Sequence, residues 1–288
     1  MLDSTRLPTL LLLAICIVLG AASPTPTKTA DVQASRIRIQ YFVPKDPAME
    51  PIHRMLKEHR ALEEMQEIFS PFRLPIELTL RTGSCEGVAN AWYDRPEVSV
   101  CYEYVNEILQ MSRQEAAATG VSVSDAVIGQ FFYVVAHEMG HAMFDILEVP
   151  IVGNEEIAAD QFSAYIMLHF GKEQSRALIT GAALAYNMYV QNPQVRAPLA
   201  AFSDVHAAPA QRFFNLLCLA YGADPVLFAD FVAKGYLPEN RAHNCKREYD
   251  QVAFAFRELI VPHLDRQLER QVMDRTWLPE VKARSSPN

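Results

Sequence analysis

Long apolar runs are nearly absent from this chain of 288 residues. A membrane-crossing helix takes roughly 20 consecutive apolar residues, and no stretch of that length occurs, which excludes a bundle of membrane-spanning helices. Lys and Arg never stand more than two together, and the formal net charge is −8. Without a basic stripe there is no electrostatic footprint for nucleic acid or for an anionic membrane surface. Glycine (11 residues) and proline (18 residues) are not in excess, and no segment recurs at a fixed period. Solenoid and disordered scaffolds are thereby disfavoured. CxxC pairs and mixed Cys/His clusters are missing too, so a cysteine-built metal site is excluded.

What is present begins with an export signal. Leu10–Leu19 is an apolar run too short to span a bilayer, and Gly20-Ala21-Ala22 supplies small residues where a signal peptidase would cut. Residues 1–22 read as a signal peptide and 23–35 as a flexible leader. A secreted or periplasmic protein, with no stable membrane anchor after cleavage, is expected. Cysteine usage agrees. Cys16 leaves with the signal, and Cys85, Cys101, Cys218 and Cys245 remain. An even number in an exported chain implies disulfides, and four cysteines allow three connectivities. The local pairs Cys85–Cys101 and Cys218–Cys245 are preferred, because each brackets one compact segment.

Period-two alternation predicts strands over 36–43 and 76–82, with two more over 89–94 and 98–105 on either side of a turn at Arg95-Pro96. Helical patterns predict 48–69, 102–117, 123–147, 155–170, 173–190, 209–221, 224–234 and 246–271, with a loop over 192–209. Strands first and helices afterwards make an α+β fold. Residues 36–277 read as one domain and 278–288 as a disordered tail.

The chemistry concentrates in one stretch, HEMGHAMFDILEVPIVGNEEIAAD, from His137 to Asp160. His137 and His141 are four residues apart on a predicted helix, so both imidazoles can reach one tetrahedral ion. Glu138 points to the side where a bound water would sit and can take its proton. This is the HExxH arrangement. Its flanks are apolar, and burying two histidines and a glutamate without a cation would be expensive. A catalytic zinc usually takes three protein ligands. Phe144 and Leu147 stand where a metzincin would have Gly and His, so that class is excluded. Asp145 and Glu148 lie too far along the same helix. Pro150 and Gly153 reverse the chain, and Asn154 can cap a second helix beside the first. Glu156 is then preferred as third ligand, because Asp160 sits one turn later on its face. Asp160 can accept from a zinc-bound histidine and fix its tautomer. Glu155 reads as a first-turn acid favoured by the helix dipole.

HEMGH followed by EIAAD at 156–160 resembles the HExxH…ExxxD signature of gluzincin metallopeptidases, including the CAAX prenyl protease type. The segments NAWYD, CYE, HEMGH, EEIAADQF and QRFFNLLC, across most of 36–262, also resemble a family of bacterial exported proteins classed as metallopeptidases of unknown role. The resemblance implies a zincin-like fold, with a small twisted sheet over the active-site helix and a mainly helical C-terminal half. It implies that Asn90, Ala91 and Trp92 lie on the edge strand that pairs with substrate backbone. It also implies that His206, followed six residues later by Arg212, donates to the oxyanion of the tetrahedral intermediate. The chain departs from the prenyl proteases at Ala207, where a Pro would stand, and in having no transmembrane helices after its signal.

The expected function is a zinc peptidase holding one Zn2+ on His137, His141 and Glu156, with Glu138 as general base and a peptide or protein as substrate. The alternative is a catalytically silent zincin-fold binding or assembly protein of the cell envelope. Zinc-dependent hydrolysis of a non-peptide amide is a third reading.

Overall fold

The computed structural model describes residues 35–191 and 202–275. The expected signal peptide, the leader up to residue 34, residues 192–201 of the predicted loop over 192–209 and the tail at 278–288 lie outside the described residues. No helix among the described residues is long and apolar enough to cross a membrane.

The fold is α+β, with a small mixed sheet and a predominance of helix. Four strands, β1 (Ile37–Tyr41), β2 (Leu78–Gly83), β3 (Ala91–Asp94) and β4 (Glu97–Cys101), lie in the order β1-β2-β4-β3. Strands β1, β2 and β4 are parallel neighbours, whereas β3 runs antiparallel to β4, with Ala91 opposite Val100 and Trp92 opposite Ser99. A parallel pair needs a crossover. Helices α1 (Glu50–Glu58) and α2 (Ala61–Phe69) supply it between β1 and β2. The turn at Arg95-Pro96 folds β3 back along β4, which leaves β3 as an edge strand.

Behind the sheet lies α3 (Tyr102–Thr119), followed by the central helix α4 (Val123–Ile146). The Ser122 hydroxyl accepts from the Asp125 N–H at 3.0 Å and starts α4. From Gly129 to Ala142, α4 is buried on nearly every face, because α3, α5 (Glu155–Met167), α6 (Lys172–Gln191) and the sheet surround it. Small residues allow that crowding. A Cβ on Gly129 would stand 2.6 Å from the Leu178 carbonyl oxygen of α6, and one on Gly181 would run into the Asp125 carbonyl of α4. Helices α7 (Pro209–Ala223), α8 (Ala229–Ala233), α9 (Glu239–Ala242), α10 (Cys245–Ala255) and α11 (Arg266–Met273) complete the C-terminal half. Disulfides join Cys85 to Cys101, across β3, and Cys218 to Cys245, between α7 and α10.

Several predicted elements are corrected. The helix over 48–69 is two helices, because Arg60 takes a left-handed φ of 52° and turns the chain between α1 and α2. The strand over 98–105 stops at Cys101, and Tyr102 starts a helix. The segment 224–234 is helical only over Ala229–Ala233. The long helix over 246–271 is interrupted after Ala255 by a π turn and a 3₁₀ turn, where Pro262 cannot continue the ladder. It resumes as α11, with the Asp265 carboxylate accepting from the Gln267 and Leu268 N–H groups.

Candidate metal centre

Two helices and one loop build the site. His137, Glu138 and His141 come from the buried stretch of α4. That helix ends at Ile146, and the Val149 N–H closes back on the Phe144 carbonyl at 2.9 Å. Gly153, at φ 104°, completes the reversal. Asn154 then does two things. Its Oδ1 accepts from the Ile157 N–H at 3.2 Å and caps α5, and its Nδ2 donates to the Val205 carbonyl at 2.7 Å. The cap thus places Glu155, Glu156 and Asp160 beside α4, and the second bond holds the loop that carries His206 over them.

The three expected ligand atoms converge. His137 Nε2 lies 3.0 Å from Glu156 Oε2, His141 Nε2 lies 3.3 Å from the same oxygen, and the two Nε2 atoms are 3.2 Å apart. Ligands held about 2.0–2.1 Å from a tetrahedral ion stand roughly 3.3 Å from one another. The triangle therefore has the dimensions of one face of such a shell. His206 Nε2 approaches the same Glu156 oxygen at 2.9 Å. His137, Glu156 and His206 also form a group whose ligand atoms all lie within 4.8 Å.

Hydrogen bonds orient these groups from behind. His137 Nδ1 is 2.8 Å from Asp160 Oδ1, and Arg212 Nε donates to Asp160 Oδ2 at 2.8 Å. The Arg212 guanidinium lies over the Tyr133 and Tyr186 rings, 5.7 and 5.2 Å from their centres. His141 Nδ1 is 2.7 Å from Glu155 Oε1. His206 is half exposed, and both its backbone N and its Nδ1 contact Asp204 Oδ1, at 2.9 and 3.1 Å.

The electrostatics favour positive charge among these groups. Burial pushes the His137 imidazolium down, yet hydrogen bonds to Asp160 and Glu156 outweigh it and hold the group up at about 9. The hydrogen bond from His137 is the main cause that holds Glu156 at about 2, against burial. Burial also opposes ionisation of Asp160, and hydrogen bonds from His137 and Arg212 bring it down to about 2. Carboxylates gathered around imidazoles in this way draw positive charge to the space between them. Glu138, 8% exposed, has its carboxyl raised by burial, with the two imidazoles pulling it back.

A cavity of about 430 Å³ opens on the cluster. Asn90, just ahead of β3 rather than on the strand as expected, lines it together with Ala91, Trp92 and Tyr93 of β3, and Tyr104, Tyr133 and Tyr186 line it from the helices. Tyr93 is tied down through its hydroxyl, which donates to Asp145 Oδ2 at 2.6 Å. Arg95 reaches the other oxygen of Asp145 at 3.0 Å. Every non-cysteine residue singled out from the sequence for a site role thus lies in or against one cleft. The contact of Glu155 with His141 and the second bond of Asn154 were not foreseen. Both run between elements, and no spacing within either element signals them.

Residues 41–260 match the model of the DUF4344 family, whose description reads "Putative metallopeptidase". The chain belongs to this family. The matched stretch covers strands β2, β3 and β4, both helices of the cluster and the His206 loop. Membership in this metallopeptidase family points, at a coarse level, to a peptidase that uses a metal ion and acts on peptides or proteins. No curated protein and no solved structure matches the chain.

Proposed function

We propose that this family member is a zinc-dependent peptidase of gluzincin type on a zincin-like fold, formed by residues 36–277 and exported behind an N-terminal signal. The observation that carries the proposal is the 3.0–3.3 Å triangle of His137 Nε2, His141 Nε2 and Glu156 Oε2. One Zn2+ fits it by donor type, number and spacing. Two disulfides and the absence of a membrane-spanning helix among the described residues are compatible with export.

Zinc bound there would acidify a water to a pKa of about 7 and polarise the scissile carbonyl. The rest of the chemistry belongs to the chain. The Glu138 carboxylate takes a proton at the cleft floor and delivers it to the leaving amine. Its burial raises its basicity for that task. Asp160 accepts from His137 Nδ1–H and keeps Nε2 free as a donor of its lone pair. Arg212 holds Asp160 in place. Asn90, Ala91 and Trp92 offer an open strand edge to an extended substrate backbone. His206, held at Nδ1 by Asp204, turns Nε2 into the site, where it would donate toward the oxyanion.

A second reading rests on one observation. His206 approaches the Glu156 oxygen closely enough to count among possible metal ligands. Four protein ligands make a closed, structural site, which suits a zincin-fold binding or assembly protein without activity.

The test is zinc content and cleavage of a broad peptide library for the natural chain and for Glu138→Gln. The peptidase reading expects one zinc in each and cleavage by the natural chain alone. Zinc in both with cleavage by neither favours the closed site, and absence of stoichiometric zinc from the natural chain ends both readings.

A further inference from the structure

We propose that Glu155 is a positioning residue of the metal site, accepting the Nδ1–H of His141 and so aiming His141 Nε2 at the ion. The inference rests on the reading in which His137, His141 and Glu156 are the ligands.

An imidazole that binds a cation through Nε2 must carry its proton on Nδ1. Unless that proton has an acceptor, the ring turns freely and exchanges tautomers. His137 finds its acceptor in Asp160. His141 Nδ1 lies 2.7 Å from Glu155 Oε1, while its Nε2 faces His137 and Glu156. The ring is thus oriented as a ligand, with a carboxylate behind it. Three carboxylates from the first turns of α5 then divide the work. Glu156 turns to the ligand atoms, Asp160 to the far nitrogen of one histidine, and Glu155 to the far nitrogen of the other.

The helix dipole explains why an acid stands at the start of α5, but it does not explain a carboxylate aimed at a ring nitrogen on α4. The two carboxylates differ in setting. The Asp160 side chain is 15% exposed and braced by Arg212, whereas that of Glu155 is 54% exposed. Groups that hydrogen-bond a metal-ligating histidine typically change metal affinity by about 10–100-fold. Exposure puts Glu155 near the lower end.

The experiment measures zinc affinity of the full chain by competition with a chromophoric chelator, for the natural protein, Glu155→Gln, Glu155→Ala and Glu156→Ala. Glutamine keeps an acceptor oxygen without the charge. The expected result is an affinity about 10-fold weaker for Glu155→Ala and within about 3-fold of natural for Glu155→Gln. The ¹H–¹⁵N spectrum of the zinc-loaded protein should show a slowly exchanging His141 Nδ1–H in the natural and Gln forms and not in the Ala form. Thermal unfolding of the metal-free proteins should coincide, which separates a metal role from a fold role. Natural affinity in Glu155→Ala, with zinc lost in Glu156→Ala, overturns the role of Glu155 and leaves the ligand set standing. Equal weakening in Gln and Ala reduces Glu155 to a nearby charge and also overturns it. Unchanged affinity in Glu156→Ala removes the ligand set itself, and the inference with it.

Discussion

At the scale of single residues, the Asp160–Arg212 pair links the proposed metal site to the stability of the fold. Both side chains are about 15% exposed, and Arg212 has two aromatic rings against its faces. Asp160→Ala removes the acceptor of His137 and leaves a buried guanidinium unpaired. Zinc affinity should fall about 10–100-fold, and the metal-free protein should lose about 3 kcal/mol of unfolding free energy. Chelator competition and urea unfolding measure the two effects separately. His206 distinguishes the two functional readings. If it serves the oxyanion, His206→Ala lowers kcat about 10²–10³-fold at nearly unchanged zinc affinity. If it closes a structural site, zinc affinity falls instead.

At the scale of elements, α4 and α6 meet at glycines, and Gly181→Ala should destabilise the protein by about 1–3 kcal/mol, read as a lower urea midpoint. A second test lies between α6 and α8. Arg176 forms two 2.7 Å bonds with the Asp230 carboxylate. The Arg176 hydrogen bond is the main cause that holds the Asp230 carboxyl below its usual range. A depressed carboxyl stabilises the fold above its unfolded pKa of about 3.9 and stops doing so as pH falls through its lower folded value. Asp230→Asn should therefore unfold earlier than the natural chain at pH 7, by about 1 kcal/mol, and the gap should close well below pH 4. The elements themselves were unequally legible. Helix α4 announced itself through its apolar flanks and HExxH spacing, and the start of α5 through Pro150, Gly153 and Asn154. The break at Arg60 was not readable, because an arginine in left-handed conformation leaves no mark in composition. The stop after Cys101 was hidden because Tyr102 and Val105 suit a strand as well as a helix. Glu155 was read as a helix-start acid because its partner lies fourteen residues back on another helix.

At the scale of the whole molecule, two disulfides with sequence separations of 16 and 27 staple opposite halves of the structure. Rings of this size contribute about 3 kcal/mol each by restricting the unfolded chain. Reduction should lower the melting temperature far more than removal of either pair alone, with calorimetry of the two double Cys→Ser variants as the check. The smaller ring has a meaning beyond stability. It begins at Cys85 and closes at Cys101, so the whole of β3 lies inside it. On the peptidase reading, a polypeptide drawn into the cleft would lean on a lip that is fastened at both ends and cannot be peeled outward as its load grows. Opening that clasp with a reductant should slacken the grip on incoming chains before it touches the proton transfers, so that KM rises while kcat holds.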